Sequence, residues 1–210
     1  MTIDNREKFS RLAEKYNQLV EFHNVEELCP DEINFLREKF ADKINSRFSI
    51  GTFYRLFMKK IFGGGKMIYL DADIIVNLDI SELWQQDLQD YSVAAVPEIE
   101  ATLNHMIKDK FVLHAGIVKT DNYFCAGVMI FDLDKFDEKF FRAGVQFLID
   151  NPKCESNDQD ILNAFFSENY FKLPQKFNSF VFCERHWKLP VNNKICRIIP
   201  LRRCPKSRRL

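Results

Sequence analysis

Lys66-Met67-Ile68-Tyr69-Leu70-Asp71-Ala72-Asp73-Ile74-Ile75-Val76 is an apolar run broken at one place by two carboxylates. It reads as a buried strand that carries Asp71 and Asp73 at its end. In α/β sheets, ligands bind beyond the carboxyl ends of strands. Side chains at i and i+2 of an extended chain point the same way. The spacing therefore predicts that Asp71 and Asp73 converge on one hard cation, Mg²⁺ or Mn²⁺, of the kind that bridges carboxylates to phosphate oxygens. Burying two unpaired carboxylates in a core is costly, which favours a ligand site over packing. The competing reading is a turn with two solvated aspartates.

Upstream of this run, Gly63-Gly64-Gly65-Lys66 resembles a phosphate loop only in composition. A P-loop runs strand, glycines, helix, with Ser or Thr after the lysine. Here the order is helix, glycines, strand, and Met67 follows Lys66, so the glycines read as a helix stop. Before them, Phe53, Leu56, Phe57 and Ile61 share one helical side, with Ser49 as a cap. Pro30-Asp31 marks another helix start, with Ile33, Phe35, Leu36 and Phe40 behind it. Phe9, Leu12, Ala13 and Tyr16 have helical spacing, and residues 18–25 read as a strand.

Downstream, Asp79–Trp84 reads as one helical turn and residues 92–96, SVAAV, as a short strand. Residues 98–120 read as loop and weak helix. Residues 123–133, YFCAGVMIFDL, are a buried strand, followed by a helical face of Phe136, Phe140, Phe141, Val145 and Leu148. Ser156 and Gln159 have capping-box spacing before a helix carrying Ile161, Leu162, Phe165 and Phe166. Helices alternating with strands predict an α/β sheet sandwich. There is no internal repeat and no dividing linker.

The 210 residues are 46% apolar and 29% charged, with 21 Phe, which excludes disorder and predicts a core rich in aromatic rings. No apolar run reaches the roughly 18–20 residues of a membrane span. The first ten residues, MTIDNREKFS, lack the apolar region of a secretory signal, and the six cysteines follow no zinc-like spacing. They read as reduced thiols of a cytoplasmic protein. Thirty basic residues balance thirty acidic ones, but unevenly. Trp187–Leu210 holds eight Lys and Arg and no Asp or Glu, leaving the rest at about −8. We therefore divide the chain into a body, 1–187, and a basic C-terminal tail, 188–210. That tail reads either as a solvated segment or as a contact for anionic lipid at the inner face of a membrane. Nucleic acid is the weakest reading of that charge.

Two further places carry chemistry. Asn157-Asp158-Gln159-Asp160 opens a helix, where free N–H groups favour acidic and amide side chains. Simple N-capping explains it, and so does a cleft carrying Asp158 or Gln159. Arg55 is a cation among aromatics, either a surface residue with a buried stem or a ligand for an anion. His23, His105, His114 and His186 read as surface or core residues.

Taken in order, Phe53-Tyr54-Arg55-Leu56, Ile68–Val76, Asp79–Trp84, Tyr123–Met129 and Asn157–Asn163 resemble the motifs of the family 8 glycosyltransferases. The motifs span residues 50–165. The resemblance is looser over 1–50 and fades after about 187. It implies a GT-A fold, a Rossmann-like nucleotide-diphospho-sugar transferase sheet. It also implies transfer of a hexose from a UDP-sugar to a glycan or lipid-linked acceptor, with retention and with Mn²⁺ or Mg²⁺. By that resemblance Asp71 and Asp73 bind the metal, with Ala72 between them. Arg55 holds the donor, Ala126 and Gly127 line the sugar pocket, and Asp158 and Gln159 flank the anomeric carbon. Glu98 falls near the family's sugar-site aspartate.

Three departures stand against it. The nucleotide-binding βα unit that opens the family's fold is missing at the N-terminus, so the GT-A fold is expected to be incomplete there. The family's C-terminal H-x-x-G-x-x-K-P-W has no counterpart at Lys194–Pro200. Cys125 replaces the asparagine beside Ala126. Two functions follow from these departures: an active hexosyltransferase of lipopolysaccharide or surface-glycan synthesis, or an inactive member with residual metal or sugar binding.

Overall fold

The run at 66–76 is two strands rather than one. In the computed structural model, which describes residues 3–41, 49–98, 110–137, 139–154, 157–178 and 197–200, β1 is Lys66–Leu70 and β2 is Ile74–Asn77. They belong to different sheets. Asp71 ends the first ladder by donating its N–H to the Gly127 carbonyl at 2.9 Å. Ala72 and Asp73 then turn the chain. Asp71 and Asp73 are thus not at i and i+2 of one extended strand, and the parity argument for their convergence does not apply.

The main sheet adds β3 (Val93–Pro97), β4 (Phe124–Asp132) and β5 (Phe171–Lys172), in the order β1-β4-β3-β5. β4 is antiparallel to β1, from Lys66↔Asp132 to Leu70↔Val128, and antiparallel to β3 with a bulge between Ala95 and Val96. β5 joins β3 in parallel. Every β4 residue except Asp132 is buried. That is why its sequence is a continuous apolar run rather than an alternating one. β2 pairs antiparallel with β6 (Arg197–Pro200).

Alternation along the strands divides the core. Val93, Ala95, Met129 and Phe131 face one layer. Ala94, Val96, Val128 and Ile130 face the other, against Leu83, Leu88, Leu173 and Phe177. The helices are α1 (Ile3–Lys15), α2 (Val25–Leu28), α3 (Pro30–Lys39), α4 (Met58–Phe62), α5 (Ser81–Trp84), α6 (Phe111–His114), α7 (Phe140–Asp150) and α8 (Asn157–Phe166). The first layer is filled by α3, the 3₁₀ segment Ile50–Phe57, α7 and α8. Several of its phenylalanines meet edge to face, with Phe57–Phe141 at 4.9 Å and Phe136–Phe140 at 5.0 Å, while Phe40–Phe53 and Phe136–Phe166 stack. Each such pair adds about 0.5–1.5 kcal/mol beyond the area it buries.

Local rules set most boundaries. Pro30 occupies the first turn of α3. The Ser49 hydroxyl accepts the Gly51 N–H, though the turns it starts are 3₁₀ before α4 begins. Gly63 closes α4 at φ +81° and donates to the Lys59 carbonyl, so the triple glycine is a helix stop. At Gly64 a Cβ would lie 2.3 Å from Asp134 Oδ1.

One local expectation fails. Residues 18–24 form no strand, and Leu19 is 84% exposed. Among the described residues no neighbouring strand pairs with this stretch, and Val25–Leu28 is helical instead. The helical spacing of Phe9, Leu12 and Ala13 is realised in α1, where Phe9 and Leu12 are exposed, as is Tyr16 just past the helix end. The Gln159 amide is bonded toward β4 and Tyr123, and the capping box read with Ser156 lies outside the described residues. Ser156, His105, His186 and the tail apart from 197–200 lie outside the described residues.

Candidate active site

Arg55 sits at the end of the 3₁₀ segment, its side chain 10% exposed, under the carboxyl end of β1. One guanidinium nitrogen, Nη2, donates to Asp71 Oδ1 at 2.7 Å. Nη1 donates to the Ala126 carbonyl at 2.7 Å. Nε stands 2.7 Å from Asp158 Oδ2, an ion pair without hydrogen-bond alignment. The Tyr69 ring lies against the guanidinium carbon at 4.1 Å, and its hydroxyl donates to Asp71 Oδ1 at 2.9 Å. Arg55 therefore joins the strand-end carboxylate to the first turn of α8. It also lines a groove of about 300 Å³ with Tyr54, Ile61, Met67, Tyr69 and Leu70.

Electrostatics follow from burial. Asp158 is 8% exposed, and loss of water pushes its carboxyl up to about 6. The Arg55 charge and the backbone N–H groups of the α8 first turn oppose that rise, while the Asp71 charge adds to it. Burial raises the Tyr69 hydroxyl, so it stays protonated and donates.

Gln159 is a fixed group. Its Oε1 accepts the Ala126 N–H at 3.3 Å, and its Nε2 donates to the Tyr123 hydroxyl at 2.6 Å. Asn163, one turn on, accepts the Phe124 N–H at 2.8 Å and donates to the Phe124 carbonyl at 2.9 Å. These bonds pin α8 to the start of β4 and hold Ala126-Gly127 in place. Glu98, 7% exposed, donates its N–H to the Tyr123 carbonyl, and its charge helps burial and Asp160 raise the Tyr123 hydroxyl.

The fold thus brings together Arg55, Asp71, Ala126, Gly127, Asp158 and Gln159, with Glu98 joined through Tyr123. Ala72 and Asp73 are in the exposed turn after Asp71. Tyr69, Tyr123 and Asn163 belong to the constellation and were not singled out from sequence. Tyr69 was within reach of sequence, since it is two residues before Asp71 on the same strand. Tyr123 and Asn163 act through contacts across 36 and 39 residues, which no local pattern reveals.

Asp71 is suited to a hard cation. Its Oδ1 is occupied, while its Oδ2 carries no hydrogen bond among the described residues. A Cβ on Gly127 would come within 3.0 Å of Oδ2, so the glycine leaves that oxygen approachable. Oxygen donors match Mg²⁺ and Mn²⁺. Among the described residues no group of three or more His, Cys, Asp or Glu is placed to hold a metal.

With this geometry in view, the comparisons with known proteins are consistent. The family described as Glycosyl transferase family 8 matches residues 1–196. The chain belongs to that family. Within family 8, the chain is 25% identical over 194 residues to general stress protein A of Bacillus subtilis, covering 89% of this chain and 62% of that protein. It is 29% identical over 179 residues to a putative glycosyltransferase of Haemophilus influenzae, covering 83% of this chain and 50% of that one. It is 26% identical to a lipopolysaccharide 1,2-glucosyltransferase of Escherichia coli, covering 82% of this chain and 49% of that one. The chain thus spans about half to two thirds of these relatives. Among solved structures, galactosyltransferase LgtC with donor and acceptor sugar analogs matches at TM-score 0.58 and 24% identity, over 78% of this chain and 63% of that chain. Mouse xyloside xylosyltransferase 1 matches at TM-score 0.58 and 18% identity, over 89% and 75%. These neighbours establish the GT-A fold for the family 8 chain.

Proposed function

We propose that this family 8 glycosyltransferase transfers a hexose from a UDP-sugar to a glycan or lipid-linked sugar, with retention at the anomeric carbon. The observation that carries the reading is the Arg55 guanidinium bound at once to Asp71, Asp158 and the Ala126 carbonyl. It links two carboxylates, which this reading assigns to the diphosphate's cation and to the sugar ring respectively. Asp71 and Asp73 are the carboxylates that would hold Mn²⁺ or Mg²⁺. Such an ion, when bound, neutralises charge growing on the leaving diphosphate. Asp158, buried at the start of α8, would flank the sugar ring, where its charge would stabilise an oxocarbenium-like carbon. The amide of Gln159, bonded at both ends, is a poor nucleophile and acts by position, which favours transfer on one face of the sugar. Ala126 and Gly127 line the sugar pocket, and Glu98 borders it.

The protein acts in the cytoplasm, and its basic segment 188–210 draws it to anionic lipid at the inner membrane face. Among the described residues no helix is long and apolar enough to cross a membrane. Titration calorimetry tests the enzyme reading. UDP is expected to bind in the presence of Mn²⁺, and Asp71→Asn is expected to remove the metal dependence. Absence of any metal-dependent UDP binding by the wild-type chain would instead support the inactive-member reading.

A further inference from the structure

Asp71 Oδ1 is the acceptor for two donors. The Arg55 Nη2–H reaches it at 2.7 Å and the Tyr69 O–H at 2.9 Å. A carboxylate oxygen has two lone pairs in the carboxyl plane, so this one is full. A cation approaching Oδ1 would also meet the positive hydrogens of both donors. Oδ2 differs on each point. It has no hydrogen bond among the described residues, and residue 127 beside it lacks a Cβ that would stand 3.0 Å away.

We infer that Tyr69 is a positioning residue: with Arg55 it closes Oδ1 of Asp71, so that Asp71 offers a divalent cation Oδ2 alone. This rests on the proposed cation role of Asp71. Tyr69 does so without touching substrate. Its ring is held against the Arg55 guanidinium at 4.1 Å, and its side chain leaves β1 toward the same layer as Met67. A free carboxylate would sample several rotamers and both one- and two-oxygen contacts. The pinned one presents a single oxygen in a single direction, which is the way outer partners commonly tune a metal ligand.

Mn²⁺ alone is titrated into the full chain, and the unbound ion is read by electron paramagnetic resonance. Tyr69→Phe keeps the ring and its stack on Arg55 and removes one donor. We expect it to weaken Mn²⁺ binding about tenfold, the usual size of an outer-partner loss, with the metal-free far-ultraviolet circular dichroism unchanged. Gly127→Ala is an independent variant that places a methyl group over Oδ2, and we expect it to weaken Mn²⁺ binding as well. Asp71→Asn is the reference and is expected to lose binding. If Asp71→Asn loses binding while Tyr69→Phe or Gly127→Ala binds Mn²⁺ as the wild type does, the inference is overturned and the cation role of Asp71 stands. If Asp71→Asn itself binds Mn²⁺ as the wild type does, the cation role falls and takes the inference with it.

Discussion

Asp158 shows how much a single buried carboxylate can say about a site. Desolvation lifts its carboxyl from 3.8 to about 6, more than Arg55 and the helix N–H groups offset. Between those two values the folded chain holds a proton that the unfolded chain has released. The stability that this group contributes is therefore complete below 3.8 and falls as pH rises to about 6. Asp158→Asn removes the titration. Denaturation of both proteins across that range should show wild type losing ground to the variant as pH climbs, with the gap constant above it. A gap that moves the other way would mean that the Arg55 ion pair outweighs desolvation. At this scale the sequence was informative about residue type. It marked Arg55, Asp71, Asp158 and Gln159 as chemical, because each is polar in an apolar or helix-opening context. It did not reveal that Arg55 binds both aspartates, because that contact joins three segments.

At the scale of elements, the close approach of α7 and α8 decides how α8 meets the sheet. Gly144 sits where α7 crosses Ile161, and a Cβ there would lie 2.6 Å from Ile161 Cγ2. That methyl belongs to a stiff β-branched side chain and cannot swing clear. Gly144→Ala gains up to about 1 kcal/mol of helix propensity and incurs overpacking of about 1–3 kcal/mol. A net loss of about 1 kcal/mol is expected, lowering the thermal midpoint by about 2–4 °C. A midpoint equal to wild type would mean the helices separate without cost. Element type was legible wherever period and punctuation agreed, as at Pro30, Gly63 and the apolar run of β4. It was misread at residues 18–24, where the pattern suits a strand but no strand among the described residues pairs with it.

At the scale of the molecule, β4 is the strand on which everything else is assembled. It is hydrogen-bonded on both sides and buried along all but its last residue. α1, by contrast, presents Phe9 and Leu12 to water. Hydrogen exchange should therefore be slowest for β4 amides and fast throughout α1. Exchange in β4 as fast as in α1 would contradict this arrangement of the core. The alternation of apolar strands and amphipathic helices was enough to give an α/β sheet with both faces covered, since periodicity is a property of the chain itself. The same reading joined residues 66–76 into one strand. Periodicity is blind to the hydrogen-bond partner that takes over at Asp71, where the ladder to β4 ends and Ile74–Asn77 pairs elsewhere. Which residues carry charge, which are apolar and where helices stop were written in the chain, because those are local properties. That Tyr69, Arg55, Asp71 and Asp158 form one connected group was decided by packing, because only folding brings a strand end, a 3₁₀ turn and a distant helix start within hydrogen-bonding range.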